Sequence, residues 1–186
     1  KKKLYQFYQS HRHTLVWYSS TYWTKTVGVN VLKLQQEFQS KIQARSGCLE
    51  LLQQLKERGY TCWLVTNADR PSLRLKLDNI AIEHFFDVII SSEQVGYAKE
   101  DINFWKELQR LHPFNPDETI FIDDTTPVLK TAEKFGIKHL FTISQPSSLN
   151  VIRQHQELEY KALDRLTELL SILNQINRKD NDVKIA

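Results

Sequence analysis

The stretch Thr119-Ile120-Phe121-Ile122-Asp123-Asp124-Thr125-Thr126-Pro127 decides the fold, because a short apolar run ends abruptly in two acids and a helix start. Ile120, Phe121 and Ile122 read as a buried strand, and Thr126 before Pro127 reads as an N-cap with a first-turn proline. The two acids therefore stand at the carboxyl end of a strand that runs straight into a helix. That joint is the repeating unit of a parallel α/β sheet, whose ligands bind at the carboxyl ends of the strands.

The same alternation extends outward on both sides. Upstream, Leu49, Leu51, Leu52 and Leu55 mark a helix stopped by Lys56-Glu57-Arg58-Gly59, and a strand follows over 61–66. The pattern then predicts a helix over 72–79, a strand over 87–91 and a helix over 102–111. Downstream it predicts a helix over 127–135 and a strand over 139–143. A last amphipathic helix over 160–173 would turn Leu163, Leu166, Leu170 and Leu173 toward the body, ahead of a polar, frayed tail. Residues 1–45 differ, being aromatic and Gln-rich with Gly28 as their one glycine, and they read as two helices broken at Val27-Gly28-Val29-Asn30. The second of these would place Val31, Leu34, Phe38 and Ile42 on one face. Three parts result: a helical segment over 1–45, an α/β core over 46–175 and a polar tail over 176–186.

With 186 residues, 41% of them hydrophobic, the chain can bury one real core. No apolar run reaches the ~20 residues that a bilayer crossing needs. Lys1-Lys2-Lys3 leads into polar Tyr5-Gln6-Phe7-Tyr8-Gln9 instead of a signal-peptide core, which points to a cytoplasmic protein with no membrane partner. The net charge of +3 is dispersed, without the clustered basic face that nucleic acid requires. Cys48 and Cys62 lack the spacing of a zinc site or a disulfide framework and read as reduced core residues. The sequence contains no methionine, so Lys1 is not expected to be a translational start.

Two further signatures accompany Asp123-Asp124: Thr66-Asn67 after the apolar stretch Cys62 to Val65, and Lys99 in Gly96-Tyr97-Ala98-Lys99-Glu100-Asp101. Each alone has a plain explanation, respectively a strand-end turn, a loop lysine beside an Asp101 helix cap, and for the acids a capping residue plus a turn residue. Their order changes the reading, since all three fall at strand ends or in the loops just after. A hydroxyl and an ammonium hold anionic oxygens, and a carboxylate pair repels itself unless a cation neutralises it. The set suits a phosphate group with a divalent metal. Tyr5, Tyr8, Trp17, Tyr18, Tyr22 and Trp23 read first as helix-to-helix core, with one or two rings free to face a purine. His11 and His13, like His84, His112, His139 and His155, read as surface or packing histidines.

These motifs resemble the second, third and fourth motifs of the haloacid dehalogenase superfamily of phosphotransfer enzymes. Leu64-Val65-Thr66-Asn67-Ala68, the Gly96 to Asp101 stretch and Phe121-Ile122-Asp123-Asp124, with Trp17-Tyr18 and Tyr22-Trp23 upstream, are similar to its bacterial GMP/IMP nucleotidase branch. The resemblance implies a Rossmann-like, mainly parallel sheet with a small helical cap over 1–45. It also implies Mg²⁺-dependent hydrolysis of a purine nucleoside 5′-monophosphate through an aspartyl phosphate. In that scheme Asp123 binds Mg²⁺, and Asp124 either joins it through water or restrains Lys99. Thr66, helped by Asn67, bonds a phosphoryl oxygen, and Lys99 offsets charge at the nucleophile and phosphate.

Two departures accompany the resemblance. Ala98 stands where the family has proline, which is expected to loosen the lysine loop slightly. The Asp-x-Asp motif that supplies nucleophile and general acid is absent. In the family that strand lies between the strands that here end at Thr66 and Asp123, so the expectation is a gap with two unpaired edges and a chain inactive as it stands. The alternative is a catalytically dead remnant that binds phosphate or a partner. A phospho-receiver domain fits less well, because receivers present the acidic pair on the first strand and the lysine last.

Overall fold

The computed structural model describes residues 2–147 and 151–182. An N-terminal helical layer consists of α1 (Lys2–Ser10), α2 (Leu15–Tyr18), α3 (Ser20–Val27) and α4 (Val31–Glu37). There follow α5 (Cys48–Glu57), β1 (Trp63–Thr66), α6 (Arg70–Asn79), β2 (Val88–Ser91), α7 (Ser92–Val95) and α8 (Ile102–Leu111). The chain then forms β3 (Ile120–Ile122), α9 (Thr126–Phe135), β4 (His139–Ile143), β5 (Lys161–Leu163) and α10 (Glu168–Asp182). Side chains set the helix starts: Asp69 accepts the Ser72 N–H at 3.1 Å ahead of α6, and Asp101 accepts the Asn103 N–H at 2.8 Å ahead of α8. No helix among the described residues is long and apolar enough to cross a membrane.

Among the described residues all strand pairs are parallel, but they form two sheets. β1 pairs with β2, from Trp63 against Val88 to Thr66 against Ser91. β4 lies between β3 and β5, with Ile120 opposite His139 and Phe141 opposite Lys161. No pairing joins β1 to β3 among the described residues, so the expected gap between these strands is present.

In place of a backbone ladder, a shared apolar cluster packs across both sheets. Alternate residues of a strand face opposite sides, and β3 obeys this. Phe121 meets a cluster built on Phe104, Trp105, Leu108, Val128 and Ala132, while Ile120 and Ile122 join Leu51, Leu55, Leu169 and Leu173 on the other face. The first cluster also takes Trp63 and Val65 of β1 and Val88 and Ile90 of β2, so α8 and α9 cover both sheets at once.

Several expectations are corrected. The N-terminal region breaks at Gly28 as expected, where φ is +70°, but it forms more than two helices. Ser19 supplies an extra start, its hydroxyl accepting the Tyr22 N–H at 3.1 Å, and His13 adopts a left-handed φ of +65° between α1 and α2. The face expected from Val31 to Ile42 is not buried: α4 stops at Glu37, and Leu34 and Phe38 are exposed. Thr125 rather than Thr126 is the N-cap of α9, and it makes no side-chain cap bond. The helix expected over 160–173 is instead β5 followed by α10. Leu163 happens to satisfy helical spacing with Leu166, Leu170 and Leu173 yet reaches the same cluster from a strand. α10 continues to Asp182, so the expected tail begins as helix, and its last residues, 183–186, lie outside the described residues. Cys48 and Cys62 are half-buried free thiols, and burial raises the pKa of both.

Leu129 is fully buried (0% exposed), whereas Leu34 is 42% exposed. Leu129→Ala is expected to destabilise the chain by about 2–5 kcal/mol and Leu34→Ala by no more than about 0.5 kcal/mol, read from urea midpoints by circular dichroism.

Candidate active site at the split in the sheet

The loop after α7 carries Lys99 back across the carboxyl ends of the strands. Its ammonium lies 2.5 Å from Asp123 Oδ2 and donates to the Val65 carbonyl at 3.3 Å, so it bridges the ends of β1 and β3 where no strand joins them. Phe121 adds a ring face, its centroid 5.6 Å from the ammonium. The Lys99 and Asp123 side chains are only 10% and 7% exposed, so this is a buried ion pair. The Lys99 backbone is pinned on both sides: its N–H donates to Asn67 Oδ1 at 2.9 Å, and its carbonyl accepts from Trp105 Nε1 at 2.9 Å. Trp105 is itself packed edge-on against Phe121, with centroids 4.9 Å apart. The loop is therefore held on both sides of Lys99.

The sequence-derived residues fall into three situations. Asn67, Lys99 and Asp123 are bonded to one another or to the same residue. Thr66 stands beside them at the end of β1, where its Oγ1 accepts the Ala68 N–H at 3.1 Å and keeps its own proton available for an oxygen ligand. Asp124 is the outlier. It is exposed, Oδ1 accepts from the Thr125 hydroxyl at 3.3 Å, and its carbonyl accepts from Arg153 at 3.3 Å. Asp123 Oδ1 meanwhile accepts the Thr125 N–H at 2.8 Å.

Two adjacent carboxylates at a strand end are compatible with Mg²⁺, which takes one or two protein carboxylates and completes its octahedron with water and phosphate oxygens. Among the described residues, no group of three or more His, Cys, Asp or Glu side chains is placed to hold a metal ion.

The residue that sequence reasoning missed is Glu100. Its carboxylate, 5% exposed, accepts from the Tyr18 hydroxyl and from Asn67 Nδ2 at 2.8 Å, and lies 3.1 Å from His13 Nδ1. Burial pushes the Glu100 pKa up, but bonds from Tyr18, His13 and Asn67 outweigh it and leave the group below its ordinary value. Burial, reinforced by the neighbouring Glu100, raises the Tyr18 phenol and keeps it neutral. Asp69 provides a second tie, its Oδ2 accepting from the Ser20 N–H at 2.6 Å and the Ser20 hydroxyl at 2.5 Å. Between these ties lies a cavity of about 270 Å³ lined by Leu15, Val16, Tyr18, Tyr22, Asn67 and Glu93 among others. Most of the N-terminal aromatics pack on each other as expected, Tyr8 with Trp17 and Tyr22 with Trp23, while Tyr5 is exposed.

A haloacid dehalogenase-like hydrolase family model matches residues 1–142, and the chain belongs to that family. Over 151 residues it is 30% identical to the GMP/IMP nucleotidase YrfG of Escherichia coli (strain K12), covering 81% of this chain and 68% of that protein. Over 128 residues it is 26% identical to the pyrophosphatase PpaX of Bacillus mycoides (strain KBAB4), covering 69% and 59%. Among solved structures, a HAD phosphatase from Thermococcus onnurineus superposes with a TM-score of 0.73 at 20% identity, over 92% of this chain and 78% of that one. The HAD-hydrolase YfnB from Bacillus subtilis, solved bound to magnesium, gives 0.65 at 18% identity, over 93% and 80%. These structures share the fold, and the two sequence relatives place the chain among phosphatase-type hydrolases.

Removing one member of the Lys99–Asp123 pair leaves a buried charge unmatched. Lys99→Met is expected to cost about 3–5 kcal/mol, and Lys99→Met with Asp123→Leu to recover most of it, by denaturant unfolding. Glu100 has a lowered folded pKa, so its stabilisation is fully present above the ordinary glutamate value of about 4.3 and is lost as pH falls through the lower folded value. The stability difference between the unaltered chain and Glu100→Gln should therefore shrink as pH falls below about 4 toward pH 3.

Proposed function

We propose that this chain carries the phosphate-holding part of a Mg²⁺-dependent phosphomonoesterase that hydrolyses purine nucleoside 5′-monophosphates, GMP and IMP. The observation that carries the reading is the buried Lys99 ammonium, held at the strand ends beside Asn67, Thr66 and Asp123. A desolvated cation with a hydroxyl donor next to it is what a phosphoryl group needs for charge compensation. The likeness to a GMP/IMP nucleotidase supports a nucleotide substrate, and the cavity walled by Tyr18 and Tyr22 offers aromatic surface for the leaving nucleoside.

Each residue then has a role. Thr66 donates to a phosphoryl oxygen, and Asn67 keeps the Lys99 backbone in place. Lys99 offsets negative charge on the phosphoryl oxygens, and Asp123 with Asp124 would hold Mg²⁺. When bound, that ion would neutralise charge on the phosphate. In the complete enzyme a carboxylate on a strand entering the split attacks phosphorus, and the nucleoside oxygen leaves with a proton from a second acid. Water then attacks the aspartyl phosphate and releases phosphate. None of the proposed site residues supplies the nucleophile, so the chain alone is expected not to turn over. The split sheet also favours a second reading, a phosphate-binding remnant without turnover. The substrate is a small cytoplasmic phosphate ester, with neither nucleic acid nor membrane as partner.

The test is phosphate release from GMP, IMP, AMP and UMP by the protein extended upstream with an apolar strand ending in Asp-x-Asp. GMP and IMP should be the preferred substrates, and Asp123→Asn should lower kcat/KM by about 10²-fold or more. Unchanged activity in Asp123→Asn, or no release from any nucleotide, would overturn the reading. Release without a preference for GMP and IMP would overturn the purine assignment.

A further inference from the structure

Glu100 connects three parts of the chain through one carboxylate. Oε1 accepts from the Tyr18 hydroxyl and faces His13 Nδ1 at 3.1 Å, both in the N-terminal helical layer, while Oε2 accepts from Asn67 Nδ2 at 2.8 Å. The same Asn67 amide uses its Oδ1 to accept the Lys99 N–H at 2.9 Å. A planar amide held at both ends cannot rotate without giving up one bond, so whatever fixes Glu100 also fixes the acceptor of Lys99. The carboxylate is 5% exposed, and water is poorly placed to substitute for a lost donor.

The geometry leaves little slack elsewhere. The Glu100 carbonyl accepts from the Thr131 hydroxyl at 3.0 Å, and Trp105 holds the Lys99 carbonyl, so α8 and α9 anchor one side of the loop. Asn67 and, behind it, Glu100 anchor the other. His13 reaches its place with a φ of +65°, a left-handed conformation that is strained for a residue with a Cβ. That strain sits at the contact between the helical layer and Glu100.

We propose that Glu100 is a positioning residue that transmits docking of the N-terminal helical layer to Asn67, and through Asn67 to the Lys99 backbone and its ammonium. With Tyr18 and His13 in place the acid is held, Asn67 is oriented and Lys99 is set. With the layer undocked, Asn67 is free to turn and Lys99 loses its backbone acceptor. The functional meaning rests on the phosphatase reading above, but the linkage itself is measurable without turnover.

The first test is residue-resolved amide hydrogen exchange on the chain itself, comparing the unaltered protein with Tyr18→Phe and Glu100→Gln. Tyr18→Phe removes one hydroxyl far from Lys99 in sequence, and linkage predicts that the Lys99 amide exchanges roughly five- to tenfold faster, while the Leu108 and Leu129 amides do not change. Faster exchange at residues 13–20 with an unchanged Lys99 amide would overturn the proposal, because Glu100 would then only pin the layer. Glu100→Gln should accelerate the Lys99 amide at least as much, and a smaller effect than Tyr18→Phe would also overturn it.

The second test titrates inorganic phosphate, followed by the Thr66 and Lys99 amide shifts. Affinity should be roughly three- to tenfold weaker in Tyr18→Phe, and equal affinity would overturn the transmission. Absence of binding by the unaltered chain would count against the phosphatase reading, and the exchange result alone would then decide the linkage.

Discussion

An ammonium almost wholly removed from solvent has to be met by oxygen, and at Lys99 that requirement organises the strand ends. Taking a lysine and an aspartate out of water costs several kcal/mol per ion, and the cost is offset only where opposite charge and further acceptors are closely placed. Asp123, the Val65 carbonyl and the Phe121 ring provide this, and they come from both sides of the split. The position of the cation thus depends on two sheets holding their separation, and on a loop whose backbone is held by Asn67 and Trp105.

The separation is held from the faces. Phe121, Val65 and Trp63 meet the same buried set of α8 and α9 side chains, so one helical layer spans strands that do not pair. On the other face α5 and α10 cover the larger sheet, through Leu51, Leu55, Leu169 and Leu173 against Ile120, Ile122 and Phe141. The site is consequently built where side-chain packing substitutes for a backbone ladder, and the electrostatic pair lies at the end of that seam.

What the sequence made legible was local. The helix over 102–111 and the strand over 139–143 appear with the expected ends, because a capping Asp101 and a compact apolar run act over a few residues. Asn67 and Asp123 were readable as strand-end groups and Lys99 as a loop lysine for the same reason, and the split beside Thr66 was expected from the absent first motif. β5 was not readable, since Lys161-Ala162-Leu163 is short and its leucine falls in step with a helical leucine series; only pairing with Phe141, Thr142 and Ile143 makes it a strand. Glu100 was hidden more deeply. Its partners Tyr18 and His13 lie over eighty residues upstream, with |i−j| of 82 and 87, and nothing in the local pattern separates this acid from a solvated one.

The split also bears on how the molecule assembles. β1 joins β2 across one intervening helix and β3 joins β4 across another, so each half can close its own short crossover without waiting for the other. With no ladder between them among the described residues, coupling between the halves travels through side chains, in the shared cluster that includes Trp105 against Phe121 and in the Lys99 ammonium that touches both strand ends.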